Sequence, residues 1–162
     1  MAEIDMYLKL DGIPGDSAAN RHAGEIVVLS YRTDIEAHLA SGAGGGGGAG
    51  KAEFSGIQFR KRLDKASVPL LLACASGRHI ANGRFTFSHA SADPTAFYTV
   101  SLEDVFVSHI SQAVCGSDSE PTEEEVTLQC RRIHWAFSSQ NPDGSQAPPI
   151  SGGWDLGTNE LL

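Results

Sequence analysis

The chain has 162 residues, 41% hydrophobic and 20% charged, which is long enough to bury a core and too apolar for a disordered chain. Twenty acidic residues against 12 basic ones give a net charge of -8, which excludes a general nucleic-acid binder, because displacing counterions from phosphates needs basic surface. No apolar run approaches the roughly 20 residues that cross a bilayer; Glu3 and Asp5 stand where a signal peptide wants a basic stretch, so a soluble chain, made in the cytoplasm and not inserted in a membrane, is expected.

Most segments read with a period of two. Ile4, Met6, Leu8 and Leu10 share one face of a first strand, which the turn residues Asp11 to Asp16 end. Glu25 to Tyr31, rich in β-branched residues, is a second strand. In the third, Glu53 to Leu63, Ile57 and Phe59 alternate while Phe54 lies out of phase, which predicts a bulge near Gly56. Ser67 to Gly77 breaks the pattern: Val68, Leu71, Leu72 and Ala75 recur at helical spacing, with Ser67 as the expected cap, Pro69 in the first turn and Gly77 as a left-handed stop. Arg84 to His89, Ala96 to Leu102 and Asp104 to Ser111 give three more strands. Glu124 to Phe137 is the last long one, and it changes phase between Cys130 and Ile133. Ser41 to Gly50 and Ser138 to Gly153 read as loops. The class is mainly β, a sandwich or barrel with one flanking helix.

Candidate chemistry is sparse. Gly45 to Lys51 fits the G-x-x-x-x-G-K of a phosphate-binding loop, but Ala52 replaces the magnesium-holding hydroxyl residue. The residues after Lys51 alternate like a strand where a helix is required, and Asp34 to Ala40 carries no buried-strand run. The six histidines lack metal-ligand spacing, although His89 and His109 would converge if neighbouring strands brought them together. Cys74, Cys115 and Cys130 are odd in number and lack C-x-x-C spacing, so no disulfide framework is implied, and Cys74 reads as a buried, inert thiol. The acidic run Glu123 to Glu125 reads as a solvated strand entry. Arg60, Lys61, Arg62 and Lys65 form the dense basic patch; Arg60 and Arg62 share a face, which suits either a subunit or acidic-partner interface or a strand edge blunted by charge. No catalytic set, cofactor site or metal site is expected, and strand edges left uncovered call for a neighbouring subunit.

An ordered set of residues across nearly the whole chain resembles the haemolysin-coregulated protein (Hcp) family of type VI secretion. Met6 to Leu10, His22 to Ile26 and Val28 to Tyr31 are similar to its first strands, and the glycine stretch into Gly50 and Lys51 to its extended loop. Most specific is Phe59 to Ser67 leading into a Pro-bearing helix that ends in Cys74, Gly77, Arg78 and His79. Glu125 to Leu128 and Gly153 to Asp155 resemble its closing strands. Tyr31 to Thr33 and the charged stretch Asp34 to Ala40 depart from the family's usual Ser-Trp-Gly and Gly/Ser-rich run.

The resemblance implies a single tail-tube domain over residues 1–162, two β-sheets forming a barrel with a helix alongside, related to phage tail-tube subunits. It implies a homo-hexameric ring, rings stacked into a tube inside a contractile sheath, a spike protein of the VgrG type at the tip, and effector proteins carried in the channel. It implies export without a signal peptide, and no toxin domain is expected after Leu162. For ring stacking the candidate residues are Ser41, Gly42, Gly44, Gly45, Gly46, Gly47, Gly48, Gly50 and Lys51, because bare glycine backbone permits close contact; for the interface they are Arg60, Arg62 and Lys65. A small-ligand-binding β-barrel is the alternative from a different class, and it requires a closed apolar cavity.

Overall fold

A computed structural model describes residues 3–39, 49–116 and 122–162. Among them the chain runs β1 (Ile4–Leu10), β2 (Ile26–Val28), β3 (Ser30–Leu39), β4 (Ala49–Arg62), α1 (Ser67–Ser76), β5 (Ile80–His89), β6 (Ala96–Ala113), β7 (Glu123–Phe137), β8 (Ile150–Asp155) and β9 (Glu160–Leu161). All the pairings are antiparallel, in the order β2-β1-β5-β6-β7-β4-β3, with β8 added to β7 and β9 to β8. The first and last strands of that order are consecutive in the chain, separated by Leu29 alone. The Leu29 N–H donates to the Arg60 carbonyl at 2.7 Å, so the ladder returns to its start and the sheet is a barrel. The run expected as one strand from Glu25 to Tyr31 is therefore two, because the chain changes partner at Leu29, from β1 to β4.

Side chains fill the barrel. Leu8, Ile26, Ile57, Phe85, Val100, Val105, Val126, Leu128 and Ile133 are each 0% exposed. Tyr31 meets Phe85 and Phe87 edge-on at 5.1 and 5.0 Å, an arrangement in which ring edges face the electron-rich ring faces.

Two strands expected between Ala96 and Ser111 are one continuous strand, β6. Asp104 interrupts it with φ 53, and the inward side chains change phase there, from Val100 and Leu102 to Val105 and Val107. On β7 the partners change phase at the same place, from Ile133 to Cys130, while the register stays intact. The phase change expected in β7 is thus a bend shared by both strands. Val107 to His109 adds a bulge opposite Leu128 and Thr127.

The predicted bulge at Gly56 is present: Thr33 pairs with Ile57 and Ile35 with Phe54, so β4 holds the extra residue. Gly56 has φ 92, and a Cβ there would lie 2.8 Å from the Leu128 carbonyl oxygen. Gly56→Ala is expected to cost about 1–3 kcal/mol through that strained conformation, read as a lower urea midpoint at unchanged slope; a midpoint equal to the parent's would refute it.

Beyond Gly56, β3 and β4 form a two-stranded arm, since β7 pairs β4 only from Ile57 to Arg62. The Asp34–Leu39 stretch, expected to hold no buried strand, is a strand, and its described side chains are exposed because the arm has no sheet neighbour there.

The stretch expected as a loop up to Gly153 already contains β8, where Gly152 and Gly153 pair with Trp135 and His134. Asp155 fastens its end. Its carboxylate, 3% exposed, accepts from Arg132 Nε and from the N–H groups of Gly157 and Thr158, each at 2.9 Å. Led by the Arg132 hydrogen bond, these contacts hold the carboxyl down at about 2. An unfolded aspartate titrates near ~3.9, so this group's stabilisation is complete above about pH 4 and is lost as pH falls through about 2. Asp155→Asn is expected to flatten the acid limb of the stability curve between those values; an unchanged limb would contradict that assignment.

Candidate assembly surface

The segment carrying the basic cluster alternates as a strand should, and the alternation sorts its charges. Arg60 and Arg62 point outward, whereas Lys61 between them is 0% exposed. Register makes a partner for it: Lys61 of β4 lies opposite Glu124 of β7, which lies opposite Gln112 of β6, one polar row across three strands. The Lys61 ammonium donates to the Glu124 carboxylate, to Ser67 Oγ at 3.1 Å and to the Arg62 carbonyl at 3.0 Å, and it sits 2.8 Å from Asp64 Oδ1. Glu124 also accepts from Ser67 Oγ at 2.9 Å and from Gln112. Burial pushes the Glu124 carboxyl up, but the hydrogen bonds from Lys61, Gln112 and Ser67 outweigh it and leave the group below its ordinary value.

Several expectations are corrected here. The acidic run is not uniformly solvated, because Glu124 is only 1% exposed. Ser67 does not cap α1: Ala66 holds the cap position without a side-chain bond, and the Ser67 hydroxyl is committed to the buried network. Gly77 ends the helix with φ 65, as predicted. The helix buries Ser67, Leu70 and Ala73, so the apolar set read at helical spacing faces away from the core, with Val68 and Leu72 each 64% exposed. Cys74 is half-buried rather than buried.

The outward side combines apolar and charged groups. Arg60 pairs with Glu123. Lys65 Nζ lies 3.8 Å from Asp16 Oδ1, and the Lys65 N–H donates to the same carboxylate at 3.2 Å. Arg62 borders a cleft of about 250 Å³ with Val27, Leu29, Leu63, Asp16 and Asp64. Val27, Leu29 and Leu63 are 44%, 36% and 52% exposed. Exposed apolar residues rimmed by charge are the composition of a protein-binding surface.

Of the candidate stacking residues, Ser41, Gly42, Gly44, Gly45, Gly46, Gly47 and Gly48 lie outside the described residues. Gly50 and Lys51, read as the end of the loop, belong to β4. Gly50 passes so close to His38 that a Cβ would stand 1.8 Å from its carbonyl oxygen. Lys51 is followed by strand through Arg62, so the glycine stretch joins two strands of a hairpin and opens no helix. That topology lacks the helix N-terminus on which a phosphate-binding loop depends.

The histidines are distributed by strand geometry. β5 and β6 are neighbours, yet His89 stacks on Phe97 at 4.5 Å while His109 sits beyond the Ile80–Val105 pair at the other end, so the two do not converge. His22, His79 and His38 each contact a carboxylate, of Glu25, Asp104 and Glu53 at 2.5, 2.5 and 2.7 Å. Sequence spacing missed Lys61 with Glu124 because the partners are 63 residues apart. It missed the grouping of Glu36, His38 and Glu53, whose ligand atoms lie within 4.8 Å of one another, because Glu53 is on another strand.

Among the described residues, no helix is long and apolar enough to cross a membrane. Residues 7–137 match the family described as "Type VI secretion system effector, Hcp". Protein hcp1 of Pseudomonas aeruginosa is 32% identical over 158 residues, covering 96% of this chain and 97% of its own. The crystal structure of Hcp1 from Salmonella typhimurium aligns over 100% of both chains with TM-score 0.81 and 28% identity. A structure described as that of a type six secretion system protein aligns over 99% of this chain and 100% of its own, with TM-score 0.89 and 27% identity. By the family match and by the likeness to hcp1, this chain belongs to the Hcp family of type VI secretion proteins.

Proposed function

We propose that the protein is the structural subunit of a type VI inner tube, a single tube domain spanning residues 1–162. Six copies close into a ring, rings stack head-to-tail inside a contractile sheath, and contraction expels the tube behind a spike of the VgrG type. The protein is made in the cytoplasm and leaves through the apparatus. Effector proteins ride in the channel of the ring, and the subunit itself performs no catalysis. The observation that carries this reading is the end-to-end likeness to hcp1, over 96% of one chain and 97% of the other. The exposed apolar residues around Arg62 and on α1 supply surface for unlike contacts between neighbouring copies, the kind from which rings and filaments are built.

The packed interior weighs against the alternative of a small-ligand barrel, since the positions that would line such a cavity are occupied by core side chains. Native mass spectrometry at micromolar concentration and physiological salt is expected to give a hexamer as the main species. A monodisperse monomer would sink the proposal.

A further inference from the structure

The β3–β4 arm carries a grouping of one histidine and two glutamates. Glu36 and Glu53 are direct cross-strand partners, and like charges so placed repel. His38, two residues beyond Glu36, falls on the same face of β3, and its Nε2 lies 2.7 Å from Glu53 Oε2. All three side chains are exposed. We propose that Glu36, His38 and Glu53 form a divalent-cation site, suited to Zn²⁺, that staples β3 to β4 on the arm.

The donor chemistry selects the metal. One imidazole and two carboxylates match the nitrogen and oxygen ligands of zinc, whereas Mg²⁺ and Ca²⁺ prefer all-oxygen sets. Ligand distances of about 2.0–2.2 Å in a tetrahedron set donor atoms roughly 3.4 Å apart. The three donors already lie within 4.8 Å of one another, so small rotations of exposed side chains bring them to that spacing. Two carboxylate charges balance the ion, and water takes the fourth position. In the free chain the hydrogen bond to Glu53 and the fields of Glu36 and Glu53 favour protonation of His38, which would offset the same two charges. A zinc ion replaces that proton and joins both strands through three bonds.

The test is calorimetric titration of the full chain with ZnCl₂ in a non-chelating buffer, beside Glu36→Gln, His38→Gln and Glu53→Gln. Saturation at one ion per chain is expected, with each substitution weakening binding at least tenfold and MgCl₂ binding far more weakly. The thermal midpoint of the parent should rise with zinc, and those of the variants should not. Without metal the variants should melt close to the parent, since all three positions are exposed. Absence of saturable zinc binding overturns the site. So does binding that the three variants retain undiminished, which would send the metal to other histidines or cysteines. Equal affinity for magnesium would remove the imidazole as a ligand and overturn it as well.

Discussion

Lys61→Met is expected to destabilise the fold by about 3–5 kcal/mol, the usual consequence of leaving one member of a buried ion pair without its partner. Glu124 would remain among β4, β6, β7 and α1 with its Ser67 and Gln112 bonds but without a counter-charge. Replacing both partners, Lys61→Met with Glu124→Leu, is expected to recover much of that loss, because two apolar groups of similar volume leave no charge to solvate. Urea unfolding of the parent, the single variants and the double variant closes the cycle. A Lys61→Met loss below about 1 kcal/mol would mean that water reaches the site. The pH dependence has the same sign as for any depressed carboxylate: stability from Glu124 is present above the unfolded value near ~4.3 and is lost as pH falls through the lower folded value.

On the proposed ring assembly, deleting Gly44 to Gly48 is expected to leave hexamers intact while lowering tube formation and blocking export through the apparatus. A glycine stretch bridging one ring to the next would contribute through backbone contacts, and ordering it costs roughly 1–2 kcal/mol per residue. Each such bridge would be weak alone, and six around the proposed ring would act together. Negative-stain microscopy counts tubes, and the culture supernatant reports export. A deletion variant that still builds long tubes and is exported like the parent would reduce the stretch to a passive connector.

Period-two alternation made β1, the bulge at Gly56 and the bend in β7 legible, because each depends on where successive side chains of one strand point. Partner choice is a property of two strands, so it stayed hidden. Glu25 to Tyr31 reads as one β-branched apolar run, and nothing in it marks Leu29, where the ladder changes from β1 to β4 and the inward side chains pass from Val28 to Tyr31. The acidic run reads as solvated, and the basic run as an interface or a charged edge, for the same reason: only register reveals that Lys61 and Glu124 turn inward opposite each other. The helix was legible in extent, but not in orientation. Its periodicity fits either face, and packing chose Ser67, Leu70 and Ala73. The family resemblance rests on an ordered set of such residues, and it survives errors in any one element.

The closure at Leu29 has a mechanical consequence. A sheet with open margins yields to force one hydrogen bond at a time, peeling from its outermost strand. Here the outermost strands are the two halves of one continuous segment, clasped by the Leu29-to-Arg60 bond. Load applied along the barrel finds no loose margin in that circuit, and it must shear many bonds together before any strand detaches. If the chain is the tube subunit proposed above, that circuit would give it resistance to force on the short timescale of a single stroke.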